Sequence, residues 1–94
     1  METTAVNASY DGTYSIRASK NKNFAVDIAA ASKTEGANVQ LYSYNGTNAQ
    51  KFKAIYSGGG YYRLVNVNSG LVVSVKGNTE ANGANVIQSK WAGE

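Results

Sequence analysis

The sequence has no cysteine and no histidine, and only 16% of its 94 residues are charged. Without cysteine there is no disulfide framework, no thiolate nucleophile and no sulfur ligand for zinc, and the redox compartment cannot be read from thiols; no metal site or cofactor is expected. Without histidine, the commonest general base in catalysis is missing. Nine Lys and Arg against six Asp and Glu leave a net charge of +3, far short of an electrostatic footprint for DNA or RNA, so no nucleic-acid partner is expected. No apolar run approaches the ~20 residues of a membrane-spanning helix, which argues against membrane insertion. The opening Met1-Glu2-Thr3-Thr4 has neither the basic nor the apolar region of a signal peptide. At 94 residues, one domain with a modest core is the ceiling.

What the chain has in quantity is Val, Ile, Thr and Tyr, the residues that suit strands, with Gly, Asn and Ser to supply turns. An all-β fold is expected. Alternating runs at 13–18, 24–28, 38–44, 51–56, 61–67, 71–75 and 85–91 are separated by turn clusters. Their spacing of about 8–12 residues is that of a barrel or sandwich of short strands. No segment carries a helical period.

The chain also repeats itself. Gly36-Ala37-Asn38-Val39 returns as Gly83-Ala84-Asn85-Val86, an offset of 47 residues, and at that offset 24–28 lies over 71–75. Residues 12–16 lie over 60–64 at an offset of 48, so one residue is lost in the intervening turn. The chain divides into repeat one, about 12–57, and repeat two, about 58–94. Repeat two has no counterpart of 49–56, and the N-terminal segment 3–9 is a possible permuted fourth strand.

The runs 11–19, 24–29 and 36–52 carry an acid two residues before the end of the second strand run, a Gly-Ala-Asn-Val-Gln-Leu-aromatic stretch, and Asn45-Gly46-Thr47 followed by Gln50 and Phe52. In that combination and spacing the chain, from Asp11 to Trp91, resembles the ricin B-type lectins, the Q-x-W carbohydrate-binding β-trefoils. The resemblance implies a β-trefoil built from four-strand repeats, three per closed domain. Only two are encoded here, so the fold is expected to be completed by oligomerisation.

Period-two alternation places Phe24, Val26 and Ile28 on one face, matched in repeat two by Leu71, Val73 and Val75, and these six are the expected core. Ala25 and Asp27 then point the other way, towards water, and Gln40, Tyr42 and Tyr44 stand opposite Val39 and Leu41. A flat aromatic suits the apolar face of a pyranose, and carboxylate or amide groups suit its hydroxyls. The resemblance assigns carbohydrate binding to Asp27 through ring hydroxyls, Tyr42 through stacking, and Gln50, with Gln40 in support. The family's Asn beside that Gln falls at Ala49, so Asn48 or Asn45 must reach in from the turn. In repeat two the corresponding positions are Ser74, Ile87 and Ser89, which offer neither acid nor ring, so one site is expected.

Each of these residues also has a purely structural reading. Asp27 suits a turn acceptor, Tyr42 and Tyr44 suit cross-strand packing, and Gln50 suits a barrel brace. Phe52 and Trp91 read as core or rim aromatics, Lys51 and Lys53 as the guard of a sheet edge, and Asn45-Gly46 as a turn. Asn7 and Asn45 also fit the glycosylation pattern, which is short.

Among the acids only Asp27 lies in an apolar strand, so the facing carboxylate pair of a glycosidase is missing, and no catalytic residue is expected. The expected function is noncatalytic binding of galactose- or xylose-type glycans by a module of a secreted protein. The competing reading is a structural, self-assembling trefoil fragment with a vestigial site. A homo-oligomer, foremost a trimer, is expected from the count of repeats, with a piece of a three-repeat domain as the alternative.

Overall fold

The computed structural model describes residues 12–78 and 82–91. Among these residues seven strands follow in chain order: β1 Gly12–Tyr14, β2 Phe24–Ile28, β3 Val39–Ser43, β4 Phe52–Gly58, β5 Tyr61–Asn66, β6 Val72–Val75 and β7 Val86–Ser89. Each predicted run holds one of them. The helical pieces among the described residues are single 3-10 turns at Ala29–Ala31, Asn48–Gln50 and Lys76–Asn78. Segment 3–9, the possible permuted strand, lies outside the described residues.

Antiparallel pairing runs β1-β4-β5-β6-β7, with β2 and β3 forming a separate hairpin. β1 is shorter than expected because the chain leaves the ladder after Tyr14. It then meets β2 through the Arg17–Ala25 bridge, where the Val26 N–H donates to the Ile16 carbonyl at 2.8 Å. A second bridge, Asn38 to Ile87, joins β3 to β7, so the strands follow one another around a ring. Asn38 and Asn85, equivalent positions of the two repeats, hydrogen-bond through their side-chain amides. The β4–β5 turn uses Gly58, Gly59 and Gly60 at φ of 90°, 65° and 85°, three consecutive left-handed residues that side chains would strain.

The core departs from simple alternation. Ile28 is fully buried, but Phe24 is 37% exposed and Leu41 55% exposed, whereas Ala25 and Asp27, expected to face water, are buried. The reason is that the β2–β3 hairpin is covered on the Asp27 side by the Asn48–Gln50 turn, whose Gln50 bonds Asp27 directly. In repeat two the same shift buries Val72, while Val75 is exposed. The apolar interior of the described residues therefore consists of Phe52, Ile28, Val72 and the small Ala25, Ala49 and Ala54. Phe52 takes the core role expected of it. Trp91 sits at the rim with the Arg63 guanidinium 4.7 Å above its ring. Lys51 and Lys53 do not guard an edge, because β4 is paired on both sides and its neighbours β1 and β5 occupy the positions an edge would leave open.

Three fully buried amides fill the remaining interior: Gln50, Asn66 and Gln88. Gln88 of repeat two donates through Nε2 to the Ser32 and Thr34 carbonyls, at 3.0 and 2.9 Å, and its Oε1 accepts from the Ser69 hydroxyl at 2.8 Å. It thereby grips the 32–37 loop of repeat one, reinforced by the Gly36 N–H to the Gln88 carbonyl at 2.8 Å. Among the described residues every buried side-chain nitrogen and oxygen has a partner, as buried polar groups require.

This contact sets a stability test. Gln88→Leu keeps the volume but strands two carbonyls, and is expected to cost about 1–3 kcal/mol in urea unfolding. Leu41→Gln at the exposed equivalent position is expected to stay within about 0.5 kcal/mol.

Candidate functional site

The β2–β3 register places Gln40 directly opposite Asp27 and Tyr42 opposite Ala25. Opposite residues of an antiparallel pair share a face, and positions two apart along a strand do too. Asp27, Gln40 and Tyr42 therefore stand together, with the small Ala25 leaving room beside the ring. The three line an open cleft of about 360 Å³, joined by Asn48, Asn45 and Thr47 of the following turn. This volume lies within the ~300–1,000 Å³ range of small-molecule sites.

At the base of the cleft, Asp27 is 5% exposed. Its Oδ2 accepts from Gln50 Nε2 at 2.8 Å and its Oδ1 from Gln40 Nε2 at 3.3 Å. Two amide N–H groups hold the carboxylate in one orientation, and its remaining lone pairs are available to hydroxyl donors. Tyr42, 53% exposed, presents its ring to solvent beside this fixed acceptor.

Gln50, read from the sequence as a ligand contact or a barrel brace, has its whole amide inside the protein. It is fully buried, its Nε2 also donates to the Ser43 carbonyl at 2.8 Å, and its Oε1 accepts from the Asn45 N–H at 2.8 Å. Both amide hydrogens and the oxygen are thus engaged inside the protein, and Gln50 positions Asp27 from behind. The Asn45-Gly46 turn is closed by Asn45 Oδ1, which accepts from the Thr47 N–H at 3.0 Å and its hydroxyl at 2.7 Å. Tyr44 turns away and stacks under the Arg17 guanidinium, 3.5 Å from its centroid.

The far wall was not anticipated from sequence. It consists of Ala30 and Ala31, both left-handed at φ of 57° and 52°, and Asn68 from repeat two. Two consecutive left-handed alanines cost about 1–2 kcal/mol each. Asn68 Nδ2 donates to the Ala31 carbonyl at 3.0 Å and fastens the wall. Nothing local marked Asn68, since Asn68-Ser69-Gly70 has the composition of an ordinary turn. In repeat two, Ser74 and Ser89 bond each other at 2.8 Å, with Ile87 beside them in place of Gln40, so that face presents no acid and no ring.

The family model for ricin-type β-trefoil lectin domain-like sequences matches residues 4–89. The chain belongs to this family. The ricin-type domain is similar in structure to ThreeFoil, a designed three-fold symmetric protein, at 38% identity and a TM-score of 0.83, over 88% of this chain and 59% of that one. It is similar to the Rhizoctonia solani agglutinin at 29% identity and a TM-score of 0.77, over 86% of this chain and 56% of that one. An exo-β-1,3-galactanase from Clostridium thermocellum, 1,3Gal43A, aligns at 23% identity and a TM-score of 0.73, covering 87% of this chain and 20% of that one, which speaks to the fold alone. No curated protein sequence matches the ricin-type domain. Its fold is the all-β trefoil type, and it spans 59% of ThreeFoil and 56% of the agglutinin.

The buried Gln50–Asp27 contact yields a pH prediction. Gln50→Glu sets two carboxylates against each other out of water, which raises a folded-state pKa above its unfolded value. A raised acid pKa destabilises above that value, and the penalty disappears as the pH falls and the pair takes up a proton. The melting temperature of Gln50→Glu is expected to lie below wild type at pH 7, with the gap narrowing towards about pH 4.

Proposed function

We propose that this domain is a noncatalytic carbohydrate-binding module whose site lies in repeat one, with galactose- or xylose-type glycans as ligands. Membership of a lectin-like family supports carbohydrate binding in general, and an agglutinin is among the similar structures. The observation that carries the reading is a buried carboxylate, held by two amides, beside an exposed tyrosine ring in one open cleft. Such a site matches a pyranose, whose C–H face covers the ring while vicinal hydroxyls bond the carboxylate. Asn48 and Gln40 supply further amide groups at the rim.

A noncatalytic role is supported by the described acids. Asp27 lines the cleft, and Glu35 instead accepts from the Lys90 N–H at 3.3 Å. Hydrolysis of a glycoside requires two carboxyl groups about 5–9.5 Å apart across the scissile bond. A place outside the cell, where glycans are displayed, belongs to the same proposal.

Asp27→Ala is expected to abolish glycan binding and Tyr42→Ala to weaken it by about 1–3 kcal/mol, measured by calorimetry. Wild-type affinity in both variants overturns the assignment. One sugar per chain is expected, because Ser74 and Ser89 satisfy each other; a second site of similar affinity would contradict the single-site reading.

We infer further that copies of the chain associate, foremost as trimers. Two repeats are present where the similar designed protein is three-fold symmetric, and Phe24 and Leu41 in one repeat and Val75 and Val86 in the other are exposed. Apolar faces of this kind favour burial against a partner. Sedimentation equilibrium is expected to give a concentration-dependent trimer; a well-folded monomer at micromolar concentration would refute association.

A further inference from the structure

We propose that Asn68, a residue of repeat two, is a working part of the repeat-one site: it positions the wall and takes a hydroxyl of a neutral saccharide. The proposal rests on the carbohydrate reading above and goes beyond it by naming a composite site and the charge class of its ligand.

Asn68 is held from below. Its backbone N–H donates to Asn66 Oδ1 at 3.2 Å, and Asn66 is itself fully buried, with Nδ2 bonded to the Ala49 carbonyl at 3.0 Å. Ala49 ends on the cleft as well. One buried side chain therefore ties Asn68 to the turn that carries Asn48 and Gln50. Asn68 Nδ2 then reaches across to the Ala31 carbonyl at 3.0 Å and pins the two left-handed alanines. Among the described residues, one donor of the carboxamide is spent, on the wall. Its oxygen and second N–H remain for the cleft that Asn68 lines.

An amide that offers a donor and an acceptor at once matches a hydroxyl, which is both. Across the cleft, Asp27 is the single charged group that the described residues bring to the lining. A carboxylate on a uronic or other acidic sugar would meet a like charge near Asp27 without a counter-ion. The cleft therefore selects neutral saccharides. The exposed ring of Tyr42, the fixed acceptor Asp27 and the amide of Asn68 surround the ligand from three elements in two repeats. Repeat two presents Ser74, Ile87 and Ser89 at the matching positions, and what it contributes is a wall of the other cleft.

The test uses the full chain, with calorimetry against methyl β-galactoside, methyl β-xyloside, their mono-deoxy derivatives and methyl glucuronoside. Asn68→Ala and Asn68→Ser, the latter keeping a turn-forming side chain, are compared with wild type and Asp27→Ala, each variant being checked for folding by circular dichroism. Wild type is expected to bind a neutral glycoside and to bind the glucuronoside at least about tenfold more weakly. Both Asn68 variants are expected to lose about tenfold or more in affinity. They are also expected to lose the discrimination against one particular deoxy derivative, which a purely structural role would leave in place. Uniform loss across the deoxy series overturns the hydroxyl contact. Undiminished affinity in folded Asn68 variants, with binding lost in Asp27→Ala, overturns the role of Asn68 while the carbohydrate reading stands. Equal binding of glucuronoside and neutral glycosides overturns the selectivity. Wild type that binds none of these glycosides overturns the carbohydrate reading and this proposal with it.

Discussion

The contact on which the site and its half of the fold depend is the buried hydrogen bond from Gln50 to Asp27, 2.8 Å long. A carboxylate at 5% exposure is costly unless its oxygens are bonded. Gln50 meets that requirement and, through Ser43 and Asn45, also closes the chain between β3 and β4. The Asn48–Gln50 turn is thereby docked on the outer face of β2, and that docking explains why Ala25 and Asp27 are buried. The shape of the cleft and structural integrity meet here in one amide. Replacing it by a group of the wrong charge disturbs both.

The two repeats carry different side chains on a shared frame. Repeat one keeps an acid, a ring and amides at its cleft, while repeat two replaces them with a serine pair that bonds itself. Repeat two instead carries amides aimed at its neighbour: the buried Gln88 holds Ser32 and Thr34, the buried Asn66 holds Ala49, and the half-buried Asn68 holds Ala31. The loop they hold contains the left-handed pair Ala30 and Ala31, a strained conformation that persists where surrounding bonds fix it. A single repeat would lack those bonds. The cleft is therefore a property of the pair, and the Asn38–Asn85 contact between equivalent positions marks the line along which the repeats meet.

The apolar interior of the described residues is small, and three of its fully buried large side chains are amides. Dispersion and area burial of Phe52 and Ile28 supply cohesion without direction. The amides supply direction, since each must find donors and acceptors at fixed places. This division explains how a chain with few large apolar side chains inside can still hold loops firmly enough to shape a cleft. Phe24 and Leu41 of the β2–β3 hairpin and Val75 and Val86 of the β6–β7 pair stay exposed.

Much of this was legible in the residues alone. Turn clusters between alternating β-formers placed all seven strands, because Gly, Asn and Ser punctuate the chain wherever the backbone must reverse. The offset between the two Gly-Ala-Asn-Val segments exposed the repeats, and strand period placed Asp27, Gln40 and Tyr42 on one face. Period alone states which residues share a face; whether that face is covered depends on elements distant in sequence. Asp27 was expected in water and is buried because the Asn48–Gln50 turn folds over it. For Gln50 the residues alone left a ligand contact and a brace open, and its bonds to Asp27, Ser43 and Asn45 appear only in the folded chain. Lys51 and Lys53 suggested an edge, yet β4 is central, since strand order in a sheet is set by long-range pairing. Asn68 carried no local signal, because its place at the cleft arises only when repeat two packs against the loop of repeat one. Sequence determined the strands, the repeats and the chemistry on one face, all consequences of local backbone preference and periodicity. Tertiary structure decided which groups meet water and which side chains meet each other across the repeats, because burial and hydrogen-bond partnership belong to pairs of residues far apart in the chain.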